Sequence, residues 1–215
     1  MGLHVSGRIY GRGSVVADVS VGPNSSSDRL MIYTIGHSTR SIDEFLDLLK
    51  EFSIEVLVDV RTYPGSRRYP HFNAENMAEW LWENEVVYEH HGDLGGRRGK
   101  QDVHPMMNDG WTHASFRNYA DYALGDAYQD GLGYLIGQSE YAKTAFMCSE
   151  AVPWKCHRSI ISNNLVAKEV SVRHILGRGQ IQDHVLGQWG PQPTTFGDRL
   201  VYPKNPALFE SHRKG

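Results

Sequence analysis

The stretch "MIYTIGHSTRSIDEFLDLLKEFSIEVLVDV", residues 31–60, joins two apolar runs through a segment with helical periodicity. Ser41 and Glu44 have the spacing of a capping box, and Ile42 and Phe45 follow at helical intervals. The runs "MIYTIG" and "EVLVDV" are typical of strands, and the second is apolar on both faces, as buried parallel strands are. The stretch therefore predicts a β–α–β unit with a right-handed crossover.

The same alternation of strands and helices continues along the chain to about residue 176. Further strands are predicted at "VVYEHH", "KTAFMC" and "SVRHIL". Helices are predicted at "AENMAEWLWEN" with Asn73 as N-cap, at "SFRNYADYALGDAY", around residues 131–141, and at "HRSIISNNLVAKE". This order indicates an α/β fold with three layers, in which a mostly parallel sheet of five strands carries helices on both faces.

The two ends of the chain lack this pattern. Residues 1–30 are rich in Gly and Ser, and we interpret them as a disordered leader, with an ordered hairpin at "GSVVADVSV" as the alternative. Residues 31–176 form the predicted α/β domain, and residues 177–215 are a C-terminal extension without a clear period. We expect this extension either to wrap the domain or to serve a partner.

The composition narrows the class of protein. A net charge of -3 over 215 residues excludes a histone-like polycation but not a local basic patch. Two cysteines do not form a secreted disulfide framework, and they indicate a reducing compartment. The chain has no apolar run of the roughly 18 residues that would span a bilayer, and no signal-peptide pattern. We therefore expect a soluble, cytoplasmic protein with no membrane partner.

Reactive side chains follow the predicted strands, each group at the carboxyl end of its strand. Ligands bind at this edge of open α/β sheets, because loops and helix N-termini converge there. The groups are His37, Ser38 and Arg40; then Asp59, Arg61, Ser66, Arg67, Arg68 and Tyr69; then His90, His91, Asp93 and residues 94–100; and finally Cys148, Glu150, Trp154, Cys156, His157 and Arg158.

Several of these side chains also have purely structural interpretations. His37 could cap a turn, and Asp59 could form a buried pair with Arg61 that has no functional role. The arginines could lie in solvated loops, but their position at the ligand edge favours anion binding, for which a guanidinium is suited. Tyr69, Phe72, Tyr88 and Trp154 are candidates for stacking on a base.

The two cysteines differ in their surroundings. Cys156 lies at the predicted start of a helix beside Lys155, His157 and Arg158, where a thiolate is favoured. Cys148 ends a buried strand, and we interpret it as a small core residue. The C-x7-C spacing matches neither a zinc ribbon nor a thioredoxin-type C-x-x-C motif, so we predict no metal and no cofactor. The alternative is a metal site with a further ligand from His37, His90 or His91.

The chain resembles the DUF488 family, a domain of unknown function, in five blocks that occur in order. They are "TIGHSTRSIDEFLDLL", "VDVRTYPGSRRYPHF", "YEHHGDLGGRR", "FRNYADYA" and "MCSEAVPWKCHRSIISNNL". The resemblance covers about residues 31–176 and implies an α/β fold, but no reaction. It also implies a pocket at the positions that match the family's motifs, which are His37, Ser38, Asp59, Arg61, Ser66, Arg67, Tyr88, Gly95, Gly96, Arg97, Glu150, Cys156, His157 and Arg158.

Three functions fit these residues. We favour a hydrolase that acts on a phosphate-bearing substrate, nucleic acid ahead of a free nucleotide, in the manner of a DNA glycosylase in DNA repair. The predicted catalytic residues are Asp59, Glu150, His37 and Cys156, and the predicted substrate-binding residues are Ser38, Arg61, Ser66, Arg67, Tyr69, Tyr88, Gly95, Gly96, Arg97, His157 and Arg158. The alternatives are a thiol-dependent or sulfur-handling protein that uses Cys156, and an anion-binding module without catalysis.

Overall fold

The computed structural model describes residues 30–210, so residues 1–29 of the predicted leader, which include its alternative hairpin, lie outside the described residues. The larger elements alternate as the sequence predicts, and the first strand begins at Met31. The strands are β1 (Met31–Gly36), β2 (Val56–Asp59), β3 (Val87–His90), β4 (Thr144–Cys148), β5 (Ser171–Gly177), β6 (Gln180–Asp183), β7 (Thr194–Phe196) and β8 (Arg199–Val201). The helices are α1 (Ile42–Glu51), α2 (Ala74–Trp82), α3 (Ala114–Tyr122), α4 (Asp126–Tyr141), α5 (Arg158–Ala167) and α6 (Ala207–Glu210).

The main sheet has six strands in the order β3-β2-β4-β1-β5-β6. The first five strands along the chain pair in parallel, and β6 pairs antiparallel with β5. The α/β class and the mostly parallel sheet are therefore confirmed, whereas the number of five strands is wrong. The sixth strand, β6, comes from the C-terminal extension. Gly179, which has a φ of 64°, forms the tight turn between β5 and β6.

Local sequence signals account for the first crossover. The Ser41 side chain accepts a hydrogen bond from the Glu44 amide, and the Glu44 carboxylate accepts one from the Ser41 amide. This capping box satisfies two amide groups that would otherwise lack partners at the start of α1. The carboxyl end of β1 is thereby connected to α1 by a short segment, residues 37–41, that contributes to the site.

The segment predicted as one helix from Ser115 to Tyr128 is two helices. Helix α3 ends before Ala123, and Gly125 takes an extended conformation as the N-cap of α4. Glycine has low helix propensity and is tolerated at N-caps, so the break falls there. The helix predicted around residues 131–141 is correspondingly longer, with 16 residues. Asn73 is the N-cap of α2, but its side chain accepts a hydrogen bond from the Ser66 amide instead of capping.

The buried apolar residues form two clusters, and neighbouring residues of one strand belong to different clusters. In β1, Ile32 packs with residues of α3, α4 and α5, whereas Tyr33 and Ile35 pack with residues of α1 and α2. The same alternation occurs in β2, as the strand period of two requires. Burial of these clusters is the main stabilising contribution to the fold.

The C-terminal segment is joined to the domain by a buried chain of hydrogen bonds. Thr34 Oγ1 contacts His174 Nδ1 at 3.1 Å, and His174 Nε2 contacts His184 Nδ1 at 3.0 Å. His184 Nε2 contacts Asn163 Oδ1 at 2.9 Å, and Asn163 Nδ2 donates to the Tyr202 hydroxyl. Donors and acceptors alternate along this chain when both histidines are neutral and carry their protons on Nε2. Tyr202 is fully buried in the cluster with α3, α4 and α5.

No helix within residues 30–210 is both long enough and apolar enough to cross a membrane.

The two buried histidines predict a loss of stability in acid. Burial lowers the pKa of His174 to about 2 and that of His184 to about 4. Below about pH 6.5 the unfolded chain binds protons that the folded protein does not, so the free energy of unfolding falls by about 1 kcal/mol per pH unit for each histidine. We expect His184→Gln to flatten this dependence between about pH 7 and pH 5, as measured by urea unfolding. Equal slopes for His184→Gln and the unsubstituted protein would contradict the assignment.

Candidate functional site

A cavity of about 730 Å³ lies at the carboxyl ends of β1, β2 and β4. Segments that follow four different strands line it, together with the start of α3. The predicted site residues that line this cavity are His37, Ser38, Arg61, Ser66, Tyr69, Gly96, Arg97, Glu150, Cys156 and His157. Parallel strands bring these separated segments to one edge, which is the geometry that the sequence suggested.

At the end of β1, His37 is buried but still lines the cavity. Its Nδ1 lies 3.0 Å from the Ser38 carbonyl oxygen, so Nδ1 carries the proton, and Nε2 accepts from Arg61 Nη1 at 3.4 Å. Burial and the Arg61 charge lower the pKa of His37 to about 4, so the ring is neutral at neutral pH. The ring stacks on Phe72 with centroids 4.3 Å apart.

Ser38, the next residue, has a φ of 51°. Residues other than glycine rarely adopt this left-handed conformation, and they do so mostly where the surrounding structure requires it. Here the Ser38 amide donates to the Ser149 carbonyl oxygen at 3.0 Å, which ties the segment after β1 to the segment after β4.

At the end of β2, Asp59 is fully buried and orients Arg61. The Asp59 carboxylate accepts from the Arg61 amide at 3.0 Å, from Arg61 Nε at 2.8 Å and from Arg61 Nη2 at 2.5 Å. The Tyr88 hydroxyl donates to the same carboxylate at 2.8 Å. Burial and the Asp59 charge raise the pKa of Tyr88, so this hydroxyl keeps its proton. Asp59 therefore does not line the cavity itself but orients Arg61, which does.

The glycines after β3 allow close approach to the segments beside them. A Cβ on Gly95 would lie 2.5 Å from Thr62 Oγ1, and a Cβ on Gly96 would overlap the His157 ring. Arg98 donates to the carbonyl oxygens of Gly95 and Gly92, so its guanidinium holds this loop. The glycines thus let the loop pack against the imidazole.

The β4–α5 loop, residues 149–157, brings the two cysteines together with His157. One ligand atom from each of Cys148, Cys156 and His157 lies within 4.8 Å of the other two. Cys156 Sγ is 3.5 Å from His157 Nδ1, and Cys148 Sγ is 3.9 Å from the same nitrogen. Cys148 is buried, as its interpretation as a small core residue predicts, but it also lines the cavity.

The pKa values of the two thiols shift in opposite directions. Burial by itself would raise the pKa of Cys156, but the hydrogen bond from Cys148, the Arg158 charge and the Arg158 amide lower it to about 6. The hydrogen bond to Cys156 and burial raise the pKa of Cys148 to about 12. Cys156 is therefore the thiol that ionises first.

Arg158 supports this loop from inside. Its guanidinium is 1% exposed and donates to Thr34 Oγ1 at 3.0 Å and to the Glu150 carbonyl oxygen at 2.5 Å. A Cβ on Gly36 would overlap the same Glu150 carbonyl group, so the loop rests directly on the end of β1. Arg158 therefore shapes the loop and does not line the cavity.

Three cations at the cavity make no ion pair with any residue from 30 to 210. They are Arg68, Arg97 and Lys155, and all three are exposed. The other lining cation, Arg61, is paired with Asp59. The unpaired cations make the cavity a suitable site for an anion.

Some predicted site residues lie elsewhere. Asp59, Arg67, Tyr88, Gly95 and Arg158 do not line the cavity. Of the four aromatic residues predicted to stack on a base, only Tyr69 lines it: Phe72 is fully buried, Tyr88 binds Asp59, and Trp154 lies beside Trp189.

Sequence reasoning missed several lining residues. Three of them come from α3: Ser115, Phe116 and Tyr119. Helical periodicity identified the buried face of this helix, but it did not indicate that the helix packs beside the cavity. Tyr63 and Lys155 belong to segments that were predicted to be at the site, and charge or exposure could have suggested them.

Comparison with known proteins identifies one family. The model of the family described as "Domain of unknown function DUF488" matches residues 41–165. No curated protein and no solved structure gives a significant match.

The buried position of Asp59 predicts a structural penalty for its substitution. We expect Asp59→Asn to lower the free energy of unfolding by about 3–5 kcal/mol, because it leaves the buried Arg61 charge without its partner. Asp183→Asn is the matched control: it breaks an ion pair to Arg173 whose side chains are 40% and 74% exposed, and it should cost at most about 1 kcal/mol. Denaturant unfolding measures both, and equal effects of the two variants would refute the assignment.

Proposed function

The chain belongs to the DUF488 family, and from the site that it carries we propose that it is an enzyme that hydrolyses a bond in a phosphate-bearing substrate, nucleic acid ahead of a free nucleotide. The observation that carries the proposal is the set of unpaired cations, Arg68, Arg97 and Lys155, around a cavity that also holds a carboxylate. Asp59 neutralises Arg61, whereas these three cations remain available to a ligand.

Binding would use the rim and the aromatic side chains. The guanidiniums of Arg68 and Arg97 would contact phosphate oxygens, and they would carry no sequence preference by themselves. Tyr63 is 71% exposed and lines the cavity with Tyr69, so either ring could stack on an unpaired base. A cavity of about 730 Å³ has room for one nucleotide unit that has left a base stack.

Catalysis would use Glu150. Asp59 has no access to the cavity, so the carboxylate that can reach a substrate is Glu150 in the β4–α5 loop. A carboxylate in this position can remove a proton from an attacking water molecule.

A second candidate function is thiol-dependent catalysis, and the contact of Cys156 Sγ with His157 Nδ1 at 3.5 Å favours it. A thiol beside an imidazole at a helix start is the arrangement of an activated nucleophile. This candidate requires a free thiolate at Cys156, and hydrolysis by Glu150 does not.

We expect turnover to depend on Glu150. Incubation of the protein with a panel of modified-base oligonucleotides and nucleotides should release a base or another product from at least one of them. Glu150→Gln should slow this reaction by about 10²–10⁴-fold while binding is retained, because the amide cannot take a proton from water. Turnover that survives in Glu150→Gln and disappears in Cys156→Ser would favour the thiol candidate instead.

We expect the rim arginines to set the salt dependence of binding. For single-stranded DNA, Arg68→Gln and Arg97→Gln should each weaken binding and reduce the slope of log K against log salt by about 1. Arg178→Gln serves as the control, because Arg178 is exposed and does not line the cavity. Fluorescence anisotropy over a salt series measures the slopes. A slope that changes as much in the control as in the rim variants would remove nucleic acid as the substrate class.

A further inference from the structure

We propose that Cys148, Cys156 and His157 bind a divalent transition metal ion, with Zn²⁺ the best match, and that the ion's fourth coordination position opens into the cavity. The three ligand atoms already lie within 4.8 Å of one another. Two thiolates and one imidazole form a donor set that Zn²⁺ prefers, while hard cations such as Mg²⁺ and Ca²⁺ prefer oxygen ligands.

The hydrogen bond of His157 leaves the correct nitrogen free. His157 Nε2 lies 3.0 Å from the Val60 carbonyl oxygen, and because a carbonyl only accepts, Nε2 carries the proton. Nδ1 then presents its lone pair towards both sulfur atoms. A metal-bound histidine usually donates its second nitrogen to a carbonyl or carboxylate in this way, which holds the ring in position.

The distances are close to those of a tetrahedral site. With Zn–S of about 2.3 Å and Zn–N of about 2.0–2.1 Å, sulfur and nitrogen ligands lie about 3.6 Å apart. The two sulfur-to-Nδ1 distances are 3.5 Å for Cys156 and 3.9 Å for Cys148. Both distances lie within about 0.3 Å of this value, and the two sulfur atoms lie within 4.8 Å of each other.

The surroundings indicate an open site. All three side chains line the cavity, and within residues 30–210 no fourth histidine, cysteine, aspartate or glutamate belongs to the group. Structural zinc sites have four protein ligands, whereas catalytic zinc sites have three and leave a position for water or substrate. The metal site that the sequence left open has a further ligand from His37, His90 or His91, but none of these histidines belongs to the group.

The site would supply the nucleophile for the proposed function, on which this part of the inference rests. A bound Zn²⁺ lowers the pKa of its water molecule, and Glu150 would take the proton. The resulting hydroxide oxygen would bond to the electrophilic atom of the substrate. The bond to the leaving group would break with its electron pair, and the leaving group would take the proton from Glu150. The sum is hydrolysis by one water molecule, without oxidant or reductant.

Metal binding is tested on the full chain after chelation and removal of the chelator. Titration with Zn²⁺ alone should give one tightly bound ion per chain, and Co²⁺ should give thiolate-to-metal charge-transfer absorption. Cys148→Ser and Cys156→Ser should each weaken binding by about 100-fold or more. His113→Ala is the control, because His113 is exposed and lies outside the group.

A variant-free measurement accompanies the titration in case a serine variant does not fold. Zn²⁺ should protect both cysteines of the unsubstituted protein from iodoacetamide, and chelation should remove the protection. Unaltered labelling in saturating Zn²⁺, or equal binding by the folded serine variants, would overturn the proposal. A disulfide between Cys148 and Cys156 in protein isolated without oxidant would also overturn it.

The outcomes separate this inference from the proposed function. If one ion binds through the three ligands but no substrate of the panel is hydrolysed, the metal site stands and the hydrolase proposal fails. If Zn²⁺ does not bind, and the folded serine variants hydrolyse a substrate at the full rate, the metal site is refuted and the hydrolase proposal stands.

Discussion

The buried guanidinium of Arg158 is the constraint on which the site depends. It makes no ion pair within residues 30–210. Its two terminal nitrogens donate to Thr34 and to carbonyl oxygens of the β4–α5 loop, whereas its Nε has no hydrogen-bond partner among these residues. A buried charge is costly unless such donors and acceptors surround it, so the loop that supplies the carbonyl groups is held in one shape. That shape returns the chain on itself, so that Cys148 at its start meets Cys156 and His157 at its end.

Buried side chains that do not line the cavity also position the site at the end of β2. Asp59 and Tyr88 are withdrawn from the cavity, and their hydrogen bonds fix the direction of Arg61. Arg61 in turn contacts His37, so one buried carboxylate orients two side chains that line the cavity. Polar groups that are withdrawn from the cavity therefore position the side chains that line it.

The cavity combines two kinds of chemistry at different depths. Exposed cations lie at its rim, while the two thiols and the imidazole lie deeper, with both cysteines buried. An anionic substrate held at the rim would place a reacting bond near Glu150 and the proposed metal ion. This arrangement gives one physical reason for the concentration of Cys, His, Glu and Arg at a single edge, which anion binding without catalysis would not require.

The sequence by itself determined the α/β class, the parallel strands and the capped first helix, because hydrophobic periodicity and capping residues are local properties of the chain. It also identified ten of the residues that line the cavity, since strand ends and the edge that they share follow from the element order. Only the tertiary structure decided that Asp59 is withdrawn behind Arg61, that Cys148 faces the cavity, and that residues 180–183 add a sixth strand. Each of these depends on contacts between residues distant in sequence, and such contacts are set by the packing of the whole domain and leave no periodic signal in the chain.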